Sequence, residues 1–370
     1  MKIETTLEEA LERATLPLRR KMEHSVELLR KAEKLARNYD RENGYFLAFS
    51  GGKDSQALFH IAQLAGVQFK GHMNLTSIDP PEVIRFVKKQ YPEVELIKPK
   101  DSIFNIAVQK QILPTMRVRW CCQEYKETAG AGKVTLIGIR KEESARRARR
   151  NEVEINSRKF SGTLDELDEY RAEKLARKAR RASKKNGVNI ANADEEQTLG
   201  CISGKESLLI SPIIHWTERD VWEFLNEVVQ VPHCELYDEG WKRIGCIGCP
   251  MSSAKHKREE EKRWPHVRRN WIRAIKTIRR GGYLRHNIYG GISPLTSDSA
   301  TPLFYATDKL WIMGGFSDCS SSGRLTDEQE NEIAENIYDW WTSGKSYRKW
   351  YAEKFLQQKL ELDFGDEEQT

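Results

Sequence analysis

A six-residue loop, Ser50-Gly51-Gly52-Lys53-Asp54-Ser55, has the composition of an anion-binding site. It follows an apolar run at residues 45–49 and precedes a helical pattern at residues 56–64. Two glycines allow a tight turn whose N–H groups approach an anion, and the next helix presents its positive N-terminal end. The lysine can neutralise phosphate charge, and the two serine hydroxyls can donate hydrogen bonds. A plain Gly-Gly turn with polar residues facing solvent is the alternative, but the complete hexapeptide in this position favours phosphate binding.

Lys53 is the basic residue of this loop. We expect its side chain to be exposed, because a loop lysine usually contributes its charge to a ligand and not to the core. It would stabilise charge that develops on a transferred group.

Four of the seven cysteines are clustered in sequence, as the pair Cys121-Cys122 and the C-x-x-C of Cys246 and Cys249. Four thiolates are the usual ligands of a [4Fe–4S] cluster, and they also suit tetrahedral zinc. Adjacent cysteines are strained as ligands to one zinc ion, so an iron–sulfur cluster is favoured and zinc is the runner-up. If Cys121 or Cys122 packs in the core instead, Cys234 is the best substitute ligand. Gly245 and Gly248 are expected to let backbone N–H groups approach the sulfurs.

Basic residues are concentrated between residues 255 and 280, where Trp264, His266 and Trp271 are interleaved with them, and again between residues 171 and 185. Such a surface could neutralise a phosphate backbone, and the aromatic rings could stack on bases. The alternative is a solvated helix face that nearby glutamates balance. DNA or tRNA is therefore a candidate partner.

The elements that must position these residues alternate along the chain. Apolar runs at residues 45–49, 67–75, 94–97, 134–139 and 208–214 predict strands, and helical patterns lie between several of them. This alternation predicts an α/β fold with a parallel, doubly wound sheet. Thr217 is predicted to cap a helix at residues 218–228, with Asp220 in a near capping box.

Outside this core the patterns are helical or weak. Residues 7–38 predict N-terminal helices, residues 170–185 a basic helix, and residues 326–360 a closing helix. Residues 187–196 predict a loop, and the stretch from 283 to 316 is rich in aromatic residues. We predict three parts: an N-terminal helical segment at 1–44, a nucleotide-binding domain at 45–252, and a helical, basic and aromatic-rich region at 253–370.

The overall composition narrows the class of protein. The chain has 370 residues, 39% hydrophobic and 31% charged, with a net charge of +6. No stretch approaches the roughly 20 apolar residues that span a bilayer. The N-terminus is charged and lacks an apolar signal-peptide core. We therefore expect a cytoplasmic protein with no membrane partner and with reduced cysteines.

The sequence LAFSGGKDS resembles the PP-loop of the ATP pyrophosphatase superfamily and is not a Walker A loop. Three later segments are similar, in the same order, to the phosphoadenosine phosphosulfate (PAPS) reductase-like family. They are Arg119-Trp120-Cys121-Cys122, the run from Gly138 to Ser144, and Pro212–Trp216 with Asp220-Val221-Trp222. The resemblance covers residues 45–252. It implies the adenine nucleotide alpha hydrolase-like fold and binding of ATP, or of PAPS or adenosine 5'-phosphosulfate (APS).

This resemblance implies roles for particular residues. Ser50, Gly51, Gly52 and Ser55 would cradle phosphate, with Gly138 beside them, and Asn74 and Leu75 would lie near the adenine. Catalytic roles would belong to Lys53, to Arg140 as a second cation, and to Asp54 near a Mg²⁺ ion that bridges the phosphates. The four clustered cysteines, Cys121, Cys122, Cys246 and Cys249, look like the [4Fe–4S] ligands of adenylyl-sulfate reductases.

The leading hypothesis is an enzyme that adenylates an acceptor or transfers sulfur with the help of the cluster, with a nucleic acid as one candidate acceptor. A sulfur-donor protein or a thiol-reductant protein would then be a partner. The first alternative is a sulfonucleotide reductase that uses an external thiol, and the second is a nucleotide-sensing module without turnover. Assimilatory reductases end in a Glu-Cys-Gly-Leu-His type tail, whereas this sequence ends in FGDEEQT. The intact SGGKDS loop also fits ATP better than a preformed sulfonucleotide.

Overall fold

The computed structural model describes residues 3–127, 129–186, 202, 206–280, 326–345 and 347–356. The predicted loop at 187–196, the aromatic stretch at 283–316, Cys201 and Cys319 lie outside these residues. The chain divides into two compact units that interleave along the sequence. The first unit comprises Met1–Leu75, Asp79–Lys98 and Glu124–Gly245. The second unit comprises Thr76–Ile78, Pro99–Gln123 and Cys246–Thr370. The domain boundaries at 44/45 and 252/253 stay a prediction.

The described strands of the first unit form one mostly parallel sheet, which confirms the predicted fold class. In chain order the strands are β1 (Tyr45–Ala48), β2 (Phe69–Asn74), β3 (Glu95–Ile97), β4 (Val134–Leu136), β5 (Val153–Ile155), β6 (Ser161–Gly162) and β7 (Leu208–Ile210). Their order across the sheet is β3-β2-β1-β4-β7-β5-β6. In this sheet order, the neighbouring strands from β3 through β7 pair in parallel. Strand β5 pairs antiparallel with both β7 and β6. This antiparallel edge was not predicted.

Helices connect and flank the strands. In chain order they are α1 (Leu7–Arg13), α2 (Leu16–Tyr39), α3 (Lys53–Ala65), α4 (Pro81–Gln90), α5 (Ile103–Lys110), α6 (Trp120–Cys122), α7 (Ala145–Ala148), α8 (Leu164–Asn186), α9 (Glu218–Glu223), α10 (Ala254–Arg263), α11 (Pro265–Arg280), α12 (Asp327–Ser343) and α13 (Tyr347–Tyr351). In the first unit, α2 contacts α3, β1 and β4. The fully buried side chains of Tyr45, Leu47, Leu58 and Ile61 form part of this core.

Two helix ends illustrate where sequence signals succeed and fail. Helix α9 begins with the predicted capping box, since Thr217 Oγ1 accepts from the Asp220 N–H and Asp220 accepts from the Thr217 N–H. The single closing helix predicted at 326–360 is wrong. Helix α12 ends at Ser343 because Gly344 adopts a left-handed conformation with φ of 68°.

The second unit is helical in its described part. Helix α11 packs against α5 and α12. The ring of Trp271 lies 5.0 Å from the rings of both Phe104 and Trp341. Trp341 also donates from Nε1 to the Pro114 carbonyl at 2.7 Å. Across the described residues of both units, no helix has the length and apolar character that crossing a membrane requires.

Candidate functional site

The phosphate loop joins β1 to α3 at the carboxyl edge of the parallel strands. Strand β1 is paired with β2 on one side and β4 on the other, so the strand order reverses beside it. In open α/β sheets this switch point is where ligands bind. Gly51 has φ of +73°, and a Cβ there would lie 2.6 Å from Val83 of α4. Both facts require glycine, so helix α4 holds the loop in its turn.

Ser55 holds the loop from within the first turn of α3. Its hydroxyl donates to the Gly52 carbonyl at 2.8 Å and accepts from the Ser50 N–H at 3.2 Å. The Ser50 hydroxyl lies 3.2 Å from the same oxygen. Ser55 is 5% exposed, whereas Ser50 is exposed. The inner serine therefore shapes the loop, and the outer serine is the one that a ligand can reach.

Lys53 does not extend into solvent, so the expectation of an exposed loop lysine is wrong. Its residue is 5% exposed, and its ammonium donates to the Lys242 carbonyl at 3.1 Å. The ammonium lies 3.3 Å from Glu218 Oε1 and 5.5 Å from the centre of the Tyr237 ring. The ring of Trp222 is at 6.0 Å. Aromatic faces and a carbonyl stabilise a cation, so these contacts hold the Lys53 ammonium in place at the first residue of α3.

Tyr237 also forms a hydrogen bond with the backbone of the loop. Its hydroxyl accepts a hydrogen bond from the Lys53 N–H at 2.8 Å, and burial raises the pKa of this hydroxyl. That N–H is one of the donors at the start of α3 that a phosphate would use. Sequence reasoning missed Tyr237 because it lies 184 residues from Lys53 in the chain.

Asp54 and the buried Arg140 form an ion pair beside the loop. Arg140 is 4% exposed and donates from Nε to Asp54 Oδ1 at 2.6 Å and from Nη1 to Glu142 Oε2 at 2.9 Å. Burial alone would lower the pKa of Arg140, but the carboxylates of Asp54, Glu143 and Glu142 outweigh it and raise that pKa. The predicted catalytic pair is thus in direct contact.

Gly138 lies where the chain leaves β4 and passes the start of α3. A Cβ at this position would lie 2.9 Å from the Asp54 carbonyl oxygen. Asn74 ends β2, and the Leu75 N–H donates to the Ile97 carbonyl at 2.9 Å. These predicted site residues lie at the carboxyl ends of strands adjacent to β1. The structure brings them to the same sheet edge as the loop, and their contact with adenine stays a prediction.

The four clustered cysteines all belong to the second unit. The pKa of the Cys121 thiol is raised by its hydrogen bond to Cys122, by burial, and by the nearby sulfurs of Cys122, Cys246 and Cys249. All four are partly exposed. Close thiols that repel one another as thiolates are suited to a metal centre, which removes the repulsion.

The C-x-x-C segment forms a turn that side chains of α10 support. The Cys249 N–H donates to the Cys246 carbonyl at 3.2 Å, and Gly248 has φ of +70°. The Gly248 N–H donates to Glu260 Oε2 at 2.9 Å, and the approach of other backbone N–H groups to the sulfurs stays a prediction. Lys257 is 8% exposed; burial lowers its pKa, and the Cys249 sulfur acts in the opposite direction. A buried cation therefore lies beside one sulfur.

Cys234, the substitute ligand, lies in the first unit and is fully buried. Burial raises the pKa of its thiol, and the Leu236 N–H acts against that shift. The choice between Cys122 and Cys234 as a ligand stays a prediction.

The basic helix α11 uses part of its predicted recognition surface for packing. Trp264 and Trp271 are 5% and 1% exposed, so the prediction that they stack on bases is wrong. The guanidinium of Arg268 lies within 3.7 Å of carboxylates of Glu261, Glu335 and Asp339. Exposed basic residues remain between residues 255 and 280, among them Lys262 and Arg263 on α10 and Arg269 and Arg273 on α11.

The sequence is similar to a known protein family, to curated proteins and to solved structures. The model described as "Phosphoadenosine phosphosulfate reductase domain" matches residues 44–252, more than half of the chain. An uncharacterized protein of Methanocaldococcus jannaschii is 24% identical over 72% of this chain and 55% of its own length. An adenosine 5'-phosphosulfate reductase of Lysinibacillus sphaericus is 22% identical over 45% of this chain and 55% of its own length. The adenosine 5'-phosphosulfate reductase of Oceanobacillus iheyensis is 37% identical over 16% of this chain and 24% of its own length.

This chain therefore spans about half or less of the length of these relatives. Among solved structures, the FMN adenylyltransferase of Candida glabrata matches with a TM-score of 0.39 and 15% identity, covering 65% of this chain and 68% of that chain.

Proposed function

Because this chain belongs to the phosphoadenosine phosphosulfate reductase domain family, we propose that it binds ATP at residues 50–55 and adenylates an acceptor or transfers sulfur to it. The observation that carries the proposal is the intact loop at the switch point of the sheet, with the Lys53 side chain held against Tyr237 and the Lys242 carbonyl at the first residue of α3. The nucleotide is ATP or a related adenine nucleotide such as PAPS or APS.

Each loop group has a task in this proposal. The N–H groups of the two glycines and of Lys53 and the Ser50 hydroxyl bind phosphate oxygens, and the Lys53 ammonium offsets their charge. Asp54 has one carboxylate oxygen paired with Arg140, and its second oxygen is suited to a Mg²⁺ ion on the phosphates. Arg140 keeps Asp54 oriented and contributes a second positive charge.

The proposed reaction divides ATP between its α and β phosphates. An oxygen of the acceptor forms a bond to the α phosphorus, the bond to the bridging oxygen breaks, and pyrophosphate leaves with the electron pair. Negative charge builds on the departing oxygens, so a preorganised cation lowers the barrier. Lys53 suits that role because its surroundings already compensate its burial with two rings and a carbonyl.

The cysteines of the second unit fit a [4Fe–4S] cluster better than a single zinc ion. Sulfurs bound to one zinc at about 2.3 Å lie roughly 3.8 Å apart. Among the described residues, no three of the cysteine sulfurs lie within 4.8 Å of one another, which is looser than a single zinc ion requires. A cluster places each sulfur on a separate iron and would supply electron transfer or a site for sulfur. Lys257 would offset part of its negative charge.

Two other functions are kept as alternatives. The reductase relatives favour the first, in which a sulfonucleotide binds at the same loop and an external thiol reduces it to sulfite. The second is nucleotide sensing without turnover. Sulfite release from PAPS or APS marks the first alternative, and binding without pyrophosphate release marks the second.

The deciding experiment measures pyrophosphate release from ATP with purified protein and candidate acceptors, including DNA and tRNA. Lys53→Ala should abolish release and weaken ATP binding. Lys70→Ala is the matched control, since Lys70 is an exposed lysine on β2 paired with Glu95. Unchanged binding and turnover in Lys53→Ala would remove the loop from the mechanism. Sulfite without pyrophosphate would replace adenylation by reduction.

A second experiment addresses the cysteines. Protein purified without oxygen should be brown and should contain iron and sulfide, as iron–sulfur proteins are. Cys246→Ser and Cys249→Ser should bleach it. Stoichiometric zinc without iron or sulfide would overturn the cluster and leave a structural metal site.

The candidate nucleic-acid partner has its own test. Binding through phosphates weakens steeply with salt because counterions are released. Arg269→Glu with Arg273→Glu should weaken a gel shift and flatten its salt dependence, whereas Arg268 is a poor choice because it is engaged with carboxylates. No wild-type binding to DNA or tRNA at low salt would exclude this partner.

A further inference from the structure

Two histidines and a glutamate converge at a place in the first unit that the nucleotide proposal does not use. His24 Nε2 lies 2.6 Å from Glu152 Oε1, and His215 Nε2 lies 3.1 Å from the same oxygen. One ligand atom from each of the three lies within 4.8 Å of the others. Three segments remote in sequence thus direct three metal-binding side chains at one point.

The backbone at each of these side chains is fixed from the buried side. His24 on α2 precedes Ser25, which is fully buried and donates from Oγ to the Pro212 carbonyl at 2.7 Å. Trp216, next to His215, is 1% exposed and donates from Nε1 to Ser25 Oγ at 3.1 Å.

Glu152 is fixed in the same way. Its carbonyl accepts from the Ser211 N–H at 2.8 Å, where β5 begins to pair with β7. The carboxylate is 14% exposed, whereas the side chains of His24 and His215 are 49% and 44% exposed. The cluster therefore has a fixed inner ligand and two outer ligands that solvent can reach.

We propose that His24, Glu152 and His215 bind one divalent transition-metal ion of the zinc type. Two imidazole nitrogens and one carboxylate oxygen form a set that suits zinc and its first-row neighbours, whereas magnesium and calcium prefer oxygen ligands. Three protein ligands leave a further coordination position open to water or a small ligand.

The spacing agrees with such an ion. Ligand atoms around tetrahedral zinc at about 2.0–2.1 Å lie roughly 3.3 Å apart. The Glu152–His215 distance of 3.1 Å already fits, and the Glu152–His24 distance of 2.6 Å needs a small outward rotation of the half-exposed His24. Metal binding replaces the two N–H···O hydrogen bonds with two N–metal bonds and releases those Nε2 protons or moves them to Nδ1.

The test measures bound metal in the full chain. Protein stripped with a chelator is dialysed against limiting Zn²⁺, and metal content is measured by mass spectrometry. His24→Asn, His215→Asn and Glu152→Gln should each lose one equivalent relative to wild type. The control is His233→Asn, because His233 lies 2.9 Å from Asp238 in a pair with a single histidine. Equal zinc in all five proteins would overturn the proposal.

A second measurement separates this site from the cysteines and leaves His24, Glu152 and His215 unchanged. Co²⁺ added to the stripped wild-type protein should give d–d absorption that persists in a Cys246→Ser, Cys249→Ser background, without thiolate-to-cobalt charge transfer. Absence of that signal in the cysteine variant would also overturn the proposal. Failure of ATP binding would leave both results unaffected, since neither uses a nucleotide.

Discussion

Tyr237→Phe tests whether the tyrosine hydroxyl competes with phosphate for the loop. In the free protein the Lys53 N–H donates to this hydroxyl at 2.8 Å. An N–H donates to one acceptor at a time, so a phosphate oxygen that binds there must first displace the hydroxyl. The substitution removes the competitor and keeps the ring that lies 5.5 Å from the Lys53 ammonium and 5.0 Å from the Trp222 ring.

The size of the effect follows from the hydrogen bond that is lost. A neutral hydrogen bond contributes about 0.5–1.5 kcal/mol net. ATP binding to the wild type must break this hydrogen bond, and binding to Tyr237→Phe need not. The substitution should therefore lower the Kd for ATP by about two- to tenfold. The same change should lower the free energy of unfolding by roughly 1 kcal/mol, because the free protein loses the bond. Tighter binding combined with lower stability is the signature of competition.

Calorimetric titration with ATP and with pyrophosphate measures the affinity, and urea unfolding measures the stability. Tyr45→Phe is the control, since its hydroxyl donates to the Leu29 carbonyl at 2.6 Å at the start of β1, the end away from the loop. It should lower stability without changing affinity. Equal or weaker ATP binding by Tyr237→Phe would refute the reasoning and would indicate that the hydroxyl contacts the bound nucleotide.

Three further predictions concern packing and charge. Gly138→Ala should destabilise the protein by about 1–3 kcal/mol and impair nucleotide binding, because its Cβ would lie 2.9 Å from a carbonyl oxygen in the first turn of α3. Gly245→Ala, which meets no atom within 4 Å, is the control, and equal urea midpoints would contradict the argument. Burial lowers the pKa of His60 to about 4, so its contribution to stability is complete above pH 6.5 and is lost as the pH falls toward 4. His60→Gln should remove up to about 3 kcal/mol of this pH dependence from the free energy of unfolding measured in urea. The same dependence on pH in the variant and the wild type would contradict this prediction. Arg268→Ala should lower stability by about 1–2 kcal/mol and exposed Arg273→Ala by less than about 0.5 kcal/mol, and equal losses in urea unfolding would mean that the carboxylates around Arg268 contribute nothing.

The strand, loop and helix around residues 45–65 were predictable because local signals agree there. A buried apolar run, two glycines and an apolar helix follow one another, and a parallel α/β unit needs that succession. The cap at Thr217 was predictable for the same reason, since both partners lie within one turn.

The antiparallel edge was not predictable, because β5 and β6 have three and two residues and lie among charged residues. Their pairing depends on β7, about fifty residues further on. The prediction of an exposed Lys53 failed for a related reason, because the groups that surround its side chain come from residues 218–242. Local patterns carry no information about such distant partners.

The parallel topology explains why short motifs reveal only part of this site. The carboxyl ends of β2, β1, β4 and β7 meet at one sheet edge, and the chain that follows each of them contributes a different group. The loop after β1 carries the glycines and the lysine, whereas the chain after β7 carries Glu218 and Tyr237. Since Glu218, Trp222, Tyr237 and the Lys242 carbonyl all contact the Lys53 side chain, substitutions in the chain after β7 should change nucleotide affinity through Lys53, as substitutions in the loop do directly.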